Sequence, residues 1–283
     1  MSKIKEIKSR IKSVRDVQQI TRAMKMVAAA RLRKIESRFN GMKSYLESQE
    51  SLISFITARN AWARPKLMRS REIKRSGILV FSADKGLCGA FNNNVIKKTL
   101  GEIRTRGEKP LILGVGKKGN YILKREQFNL EMDITGIFGK IRFADALSIS
   151  RELIRLYSEG EYDELCLVLN RFKPRGEPPV GVFPLLPLTL PEVETDAPDY
   201  LYEPDTEAVI ERLVPYYFSL RIYYFLLESE AAEFFARMTA MDAASDNATE
   251  LISELTLEYN RARQAAITKE ILDIVGGAEA LKE

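Results

Sequence analysis

Apolar or small residues return at every seventh position over a long stretch near the C-terminal end of the chain. One series is Leu213, Leu220, Leu227, Phe234, Met241, Ala248, Leu255 and Ala262. A second series lies four residues later each time: Tyr217, Tyr224, Ala231, Met238, Ser245, Ile252 and Tyr259. From Tyr216 to Val275 the chain has no glycine or proline, so the pattern predicts one helix of about 90 Å. A helix of that length needs a partner.

The N-terminal end of the chain offers that partner. Residues 1–64 contain a single glycine, Gly41, and no proline. Their apolar positions begin with the same spacing, at Ile4, Ile7, Ile11 and Val14. The pattern then shifts by three residues and continues at Val17, Ile20 or Thr21, Met24, Val27 and Arg31. Such a shift of the seam predicts local overwinding of a coiled coil. We predict that the two terminal helices pair in antiparallel sense around an inserted domain, whose ends would lie close together.

The charge distribution favours this pairing. Residues 1–43 carry 13 Lys and Arg against 3 Asp and Glu, whereas residues 206–283 carry 7 against 14. The net charge of +5 for the whole chain therefore combines a basic helix with an acidic one. Opposite charges beside a seam set the pairing of coiled coils, although exposed ion pairs contribute under ~1 kcal/mol each. Nucleic-acid or membrane-surface binding by the basic helix is the competing interpretation.

The middle of the chain has a different pattern, in which short apolar runs alternate with helical segments. Ile78–Phe81, Leu111–Leu113 and Leu165–Leu169 are typical of strands covered on both faces. Helical spacing follows at Val95–Ile103, ending near Gly107, and at Phe143–Tyr157, ending before Gly160. Six of the eleven prolines lie between residues 174 and 191, which favours an edge strand with loops there.

These patterns together predict an α/β fold. We expect an antiparallel two-helix coiled coil formed by the chain termini, with an inserted Rossmann-like α/β domain. The expected boundaries are 1–65 for the N-terminal helix, 66–205 for the α/β domain and 206–283 for the C-terminal helix. Pro215 predicts a kink or break in the last helix. Gly276-Gly277 is expected to end that helix, with the last six residues loosely ordered.

Composition excludes several classes of function. The chain has no histidine, which removes the usual general base, the Ser-His and Cys-His nucleophiles and most transition-metal sites. Cys88 and Cys166 lie in apolar surroundings without CxxC spacing, so we expect a reduced protein. No apolar run of ~18 residues exists and the N-terminus has no apolar signal stretch, so we expect no direct membrane insertion.

One glycine pattern suggests a nucleotide site. Residues 114–119 read GVGKKG, which fits GxGxxG after a predicted strand, and Glu131 and Asp133 lie where a ribose-binding carboxylate could fall. The alternative is a tight strand-to-helix turn. We favour the turn, because the pattern follows the second strand of the domain and the first carries DKGLCG at 84–89 instead.

Four longer segments carry a family resemblance over essentially the whole chain. They are ITRAMKMVAAARL at 20–32, ADKGLCGAFN at 83–92, ARMTAMDAASDNA at 236–248 and YNRARQAAITKEI at 259–271. Each is similar to a signature segment of the F-type ATP synthase gamma subunit. The family's pattern commonly has arginine at the position of Lys85 and glycine at that of Ala90, two departures that do not affect the assignment.

The resemblance implies a central rotor shaft that performs no chemistry and needs no cofactor. Its implied partners are the alpha and beta subunits, the epsilon subunit and the membrane c-ring, at the cytoplasmic face of the bacterial inner membrane, with no nucleic acid. ATP would be made or hydrolysed on the beta subunits. The implied subunit-contact residues are Met24, Arg237, Gln264 and Thr268 on the helices and Asp84, Lys85 and Cys88 on the foot.

Two alternatives remain open from the sequence. One is a nucleotide-dependent α/β enzyme with coiled-coil arms, which rests on the glycine pattern. The other is a nucleic-acid-binding coiled coil that uses the basic helix, for which a steep salt dependence of DNA affinity would be diagnostic.

Overall fold

The computed structural model describes residues 2–60, 62, 64–106, 110–174, 179–191, 193 and 200–280. Two long helices, α1 (Ser2–Arg59) and α5 (Thr206–Ala280), enclose an α/β segment in the sequence. A short 3-10 helix, Lys66–Met68, follows α1. The elements of the α/β segment are β1 (Ser76–Phe81), α2 (Phe91–Thr105), β2 (Leu111–Val115), α3 (Lys117–Arg125), β3 (Leu130–Ile134), α4 (Phe143–Glu159), β4 (Glu164–Asn170) and β5 (Val180–Leu186).

The five strands form one sheet in the order β3-β2-β1-β4-β5. The first four are parallel, and β5 pairs antiparallel to β4 at the edge. The predicted fold class is therefore confirmed. Pro184 lies within β5, where an edge strand can accommodate a residue that has no backbone donor.

Alternate residues of the central strands face two separate cores. Leu79 and Phe81 of β1 belong to a large core that also contains side chains of α1, α4 and α5. Ile78 and Val80 face the other way, into a smaller core with residues of α2 and α3. Because both faces are covered, the strands are continuously apolar instead of alternating with polar residues.

The chain divides into two compact units, and the division falls inside the long helices. One unit comprises Met1–Ala28 with Met238–Glu283, and the other comprises Ala29–Arg237. We describe each unit by itself and refer to them as the helical-pair unit and the α/β unit.

Side-chain contacts fix the direction of the helices in the helical-pair unit. Gln18 Nε2 donates to Thr249 Oγ1 at 2.6 Å, Arg22 Nε donates to Ser245 Oγ at 3.3 Å, and Lys25 Nζ lies 2.5 Å from Asp242 Oδ1. Each increase in residue number along α1 is matched by an equal decrease in residue number along α5. The pair is antiparallel, as predicted.

The predicted shift of the α1 seam is wrong. Val17, Ile20 and Val27 are more than half exposed, whereas the half-buried or buried positions continue the regular spacing: Ile4, Ile7, Ile11, Val14, Gln18, Thr21, Lys25 and Ala28. Polar side chains occupy seam positions because their polar atoms are paired across the helices or with backbone, which offsets the cost of burying them.

The break expected in α5 at Pro215 is absent, and the helix end expected at Gly276-Gly277 is wrong. The helix is unbroken at Pro215. Proline has no backbone N–H, so one hydrogen bond of the helix is missing there. Burial of neighbouring residues such as Val214 and Tyr217 supports the helix across that position. The helix also continues through Gly276-Gly277 to Ala280, since glycine in a helix costs only about 1 kcal/mol and does not forbid it.

In the α/β unit the second half of α1 packs on the first half of α5 beside the sheet. Phe39 and Tyr224 stack with ring centroids 4.8 Å apart, and the Arg31 guanidinium lies 5.6 Å from the Phe234 ring centroid. In the part of the chain that the structure describes, none of the helices combines the length and apolarity needed to span a bilayer.

Candidate functional site

The segment after β1, residues 82–90, forms a tight loop that packs against α5. The backbone amide of Ala83 donates to Asn92 Oδ1 at 2.9 Å, and Asn92 Nδ2 donates to Cys88 Sγ at 3.3 Å. Leu87 adopts a positive φ of 62°. Ala83, Cys88 and Phe91 then form a small apolar cluster with Ala232 of α5. The loop is therefore held from within and against α5.

Asp84 joins this loop to two others. Its Oδ1 accepts a hydrogen bond from the Lys117 amide at 2.9 Å, at the start of α3, and its Oδ2 accepts one from the Phe138 amide at 3.0 Å. A carboxylate at a helix N-terminus is favoured by the helix dipole. Asp84 thus ties together the loops that follow β1, β2 and β3.

Arg237 is buried in this region, with only 8% of its surface exposed. Its guanidinium pairs with Glu233 Oε1 at 2.6 Å, donates to the carbonyl of Gly86 at 3.3 Å and lies 5.3 Å from the Phe234 ring centroid. Burial raises the pKa of Glu233, and the neighbouring Arg237 opposes that rise. The guanidinium therefore links α5 to the 82–90 loop within the chain.

Cys88 and Lys85 differ in exposure although they lie on the same loop. Cys88 is a free, buried cysteine, and burial raises the pKa of its thiol, with Arg237 lowering it. Lys85 is exposed, and Leu87 presents 64% of its surface. The outward side of the loop is thus available for a partner, whereas the thiol is protected from reaction.

The residues expected from the resemblance fall into two groups. Asp84, Lys85, Cys88 and Arg237 come together in the α/β unit, although 150 residues separate loop and helix in the sequence. Their joint position could not be inferred from spacing. Arg237 had been expected to offer its donors to a neighbouring subunit, and in this chain they are engaged internally.

The other three residues lie in the helical-pair unit. Met24 is half-buried beside the seam, and Gln264 and Thr268 are exposed on α5. The Thr268 hydroxyl donates to the Gln264 carbonyl at 2.9 Å, which is a bond within one helix turn. The side-chain amide of Gln264 therefore lies on a surface that a partner can reach.

The glycine pattern at 114–119 is explained by close packing. Gly116 has φ of 115°, and a Cβ atom there would lie 1.9 Å from the Ser82 carbonyl oxygen. A Cβ on Gly119 would lie 2.4 Å from Ser82 Oγ, which accepts the Gly119 amide at 3.0 Å. A Cβ on Gly114 would collide with the Asn120 side chain. Each glycine is required by an internal neighbour.

The start of α3 also lacks room for a phosphate. Asp84 already accepts the Lys117 amide there, and the Lys118 amide donates to the Ala83 carbonyl at 2.9 Å. Asp133, a candidate ribose ligand, accepts from Asn120 at 2.6 Å and pairs with Lys124. The start of α3 and Asp133 are thus occupied by the protein's own groups, whereas Glu131 is exposed.

Sequence reasoning missed three buried carboxylates of α5, of which two hold adjacent loops directly. Glu228 pairs with Arg171 at 2.9 Å, Glu230 accepts the amide of Gly139, and Glu233 pairs with Arg237. All three glutamates are buried. The sequence did contain a signal for these buried carboxylates, because acidic residues interrupt an otherwise apolar run of α5. The same residues would also fit a solvated helix face, so the signal did not distinguish the two.

Comparison with known proteins identifies the family. A family described as ATP synthase matches residues 3–281. The curated ATP synthase gamma chain of Moorella thermoacetica is 40% identical over 282 residues, covering 100% of both chains, and that of Heliobacterium modesticaldum is 42% identical over 99% of this chain and 100% of its own.

The chain belongs to the ATP synthase gamma chain family.

Solved structures agree with this assignment. The central stalk and c-ring structure of the Tetrahymena thermophila mitochondrial ATP synthase contains a chain that is 25% identical, with a TM-score of 0.62, over 80% of this chain and 99% of that one. A chain of the Euglena gracilis mitochondrial ATP synthase has a TM-score of 0.67 at 18% identity, over 99% of this chain and 95% of that one, which supports the fold. The gamma-family assignment accounts for both helices and the α/β segment.

Proposed function

We propose that this gamma-family chain is the central rotor shaft of an F-type ATP synthase. It couples ion-driven rotation of the membrane c-ring to conformational changes in the catalytic beta subunits, in the direction of either synthesis or hydrolysis. The observation that carries the proposal is the antiparallel helical pair with an overhanging apolar end, in a chain that matches gamma chains over its full length.

The helical pair is suited to transmitting torque. A shaft must resist sliding of one helix along the other, and the contacts of Gln18 with Thr249 and of Lys25 with Asp242 fix the register of the two helices. The apolar seam supplies most of the stability, because a half-exposed ion pair such as Lys25–Asp242 contributes little.

The C-terminal end of α5 extends beyond its partner. In the register of the observed contacts, the described residues of α1 reach as far as residues near 263 of α5, and the part of α5 that follows lies beyond them. Its apolar side chains are exposed: Ile267, Ile271, Leu272, Ile274 and Val275. Exposed apolar surface of this kind marks an interaction site, and we assign it to an enclosing sleeve formed by the alpha and beta subunits.

The α/β unit is proposed to be the foot that meets the epsilon subunit and the c-ring. The exposed Lys85 and Leu87 on the 82–90 loop provide a surface for such a contact. We propose that these partners hold the chain at the cytoplasmic face of the bacterial inner membrane. Gln264 and Thr268 are proposed to contact the beta subunits.

We propose that the chain itself catalyses no reaction. Catalysis would reside on the beta subunits, as the gamma-family assignment implies. Among the described residues no group of three or more His, Cys, Asp or Glu is arranged to hold a metal ion, and the glycine turn at 114–119 is filled internally. The packing of the glycine turn favours the shaft over a nucleotide-dependent enzyme.

Rotation can be tested with a probe on this chain. Tyr121 on α3 is 64% exposed, so Tyr121→Cys should label selectively, since the native thiols are buried and burial raises the pKa of Cys166 to about 11. The chain should co-purify with three alpha and three beta subunits per copy. With the alpha and beta subunits immobilised, the probe should rotate on addition of ATP.

Two controls define the outcome. A nonhydrolysable ATP analogue should leave the probe stationary, and unlabelled wild-type complex should hydrolyse ATP at the same rate as the labelled one. A probe that stays fixed while the complex hydrolyses ATP, or a chain that does not associate with alpha and beta subunits, would contradict the proposal.

A further inference from the structure

The loop between β3 and α4, residues 136–141, is held by two acidic side chains, Asp84 on the 82–90 loop and Glu230 on α5. The amide of Phe138 donates to Asp84 Oδ2 at 3.0 Å, and the amide of Gly139 donates to Glu230 Oε1. We call residues 136–141 the latch loop. Its closed position therefore depends on Glu230, which lies on α5.

A third contact fixes the other end of the latch loop. Arg38 Nη2 of α1 donates to the carbonyl of Ile141 at 2.8 Å and to the hydroxyl of Tyr223 at 2.6 Å. Ile141 is buried in the large core. The end at Ile141 is thus anchored by packing as well as by a hydrogen bond, whereas Gly139 is exposed and is held by Glu230.

Glu230 is in an unusual position for a carboxylate, because only 2% of its surface is exposed. Burial raises the pKa of Glu230 to about 7, and Glu233 on the same helix raises it further. The Gly139 amide and the guanidinium groups of Arg38 and Arg31 oppose the rise. Burial outweighs these opposing contacts, so the closed loop favours the neutral carboxyl.

The charged groups around this site lie on several elements. Arg31 and Arg38 face it from α1, and a Cβ placed on Gly139 would lie 3.5 Å from Arg31 Nη1. Asp84 and Lys85, on the 82–90 loop, act on Glu233. The charged residues at the end of the latch loop are engaged away from Glu230: Lys140 is exposed, and Arg142 pairs with Asp145.

We propose that the latch loop is a pH-sensitive device that opens from α5 when Glu230 ionises. In the closed form a neutral carboxyl can still accept the Gly139 amide through its carbonyl oxygen, without a charge being buried beside Glu233. In the open form the carboxylate is hydrated and titrates at the ordinary glutamate value. Rising pH therefore favours the open form.

The size and window of the effect follow from the linkage between proton binding and opening. The folded, closed state binds the proton more tightly than the open state, so opening increases from about pH 4.5 to about pH 7 and is constant above it. Each unit of pKa difference changes the equilibrium tenfold, which gives an upper limit of about 300-fold. Relaxation around the carboxylate would reduce that value.

Amide hydrogen exchange of the full-length chain tests the proposal. Exchange of a peptide covering the latch loop is measured at pH 5.5 and 8.5 and corrected for the intrinsic rate at each pH. We expect its protection to fall at least tenfold between the two pH values. A peptide from the buried strand β1 should keep its protection.

Two variants separate Glu230 from general effects of pH. Glu230→Gln keeps an acceptor for Gly139 but cannot ionise, so its latch loop should show the same protection at both pH values. Glu211→Gln changes an exposed carboxylate on the same helix and should behave as the wild type. Constant protection in the wild type overturns the proposal, as does an equal fall in Glu230→Gln. If Glu230→Gln does not fold, constant protection in the wild type still overturns the proposal.

Discussion

Replacing Arg237 with methionine tests whether the guanidinium is an internal anchor. Methionine keeps much of the side-chain length and apolar stem, but it removes the pair with Glu233, the hydrogen bond to the Gly86 carbonyl and the contact with the Phe234 ring. Glu233 would then be buried without an opposite charge. We expect Arg237→Met to destabilise the α/β unit substantially.

The magnitude follows from the burial of the two side chains. Arg237 and Glu233 are only 8% and 4% exposed, so removing one partner should cost about 3–5 kcal/mol, the range for breaking a buried ion pair. The same four-residue spacing on an exposed helix face would predict about 0.3–0.5 kcal/mol. The tenfold difference between the two values makes the measurement decisive.

Urea unfolding of the full-length chain, followed by circular dichroism, measures this cost. The double variant Glu233→Gln/Arg237→Met removes both charges and should recover most of the lost stability. Arg155→Met is a matched control, since Arg155 pairs with Glu152 and Glu159 on the exposed face of α4. Its cost should stay under ~1 kcal/mol.

The pH dependence of Arg237→Met has a definite sign. Burial raises the pKa of Glu233, so the folded state favours the protonated form. The stability that the protonated Glu233 contributes is fully present below the pKa of glutamate in the unfolded chain. It is lost as the pH rises through the pKa of Glu233 in the folded chain. Without Arg237 to stabilise its charge, the pKa of Glu233 should rise further. The cost of the substitution should therefore be larger at pH 8 than at pH 5.

The reasoning fails if Arg237→Met costs less than 1 kcal/mol or no more than Arg155→Met. Such a result would place Arg237 on a solvated helix face. A double variant no more stable than the single one would show that the loss came from packing instead of the buried charge.

Three further predictions concern other parts of the chain. Met24→Lys should disturb coupling more than folding, because a new ammonium beside the seam can pair with a neighbouring subunit; unchanged ATP-driven ion pumping by the assembled complex would contradict this. Deleting residues 278–283 should leave assembly and rotation nearly intact, while Ile267→Asp with Ile271→Asp should impair both; loss of assembly after the truncation, or a double variant that behaves as the wild type, would rule out a sleeve around this end of α5. Asp84→Ala should cost about 1–3 kcal/mol in urea unfolding, since two backbone amides lose their acceptor; stability equal to the wild type would exclude its role in joining the loops.

Much of the fold could be predicted because it depends on local periodicity. A seven-residue repeat without glycine or proline specifies a long paired helix, and continuous apolar runs such as Leu165–Leu169 specify strands covered on both faces. The proline-rich segment marked β5 as the edge strand. Long motifs identified the family and, through it, the residues to examine, whereas the short glycine pattern at 114–119 indicated only a turn.

The sequence alone determined the two paired terminal helices and most elements of the α/β segment, but neither β3 nor the strand order, because the burial of the predicted elements is encoded in the spacing of their own apolar residues. Only the tertiary structure decided which side chains lie on the buried face of each element. Gln18, Thr21 and Lys25 lie in the seam and Val17 is exposed, because burial depends on the groups that the partner helix presents and not on hydrophobicity alone. Arg237 and Glu230 are internal for a related reason: the Gly86 carbonyl and the Gly139 amide, which come from distant segments, satisfy part of their hydrogen-bonding capacity.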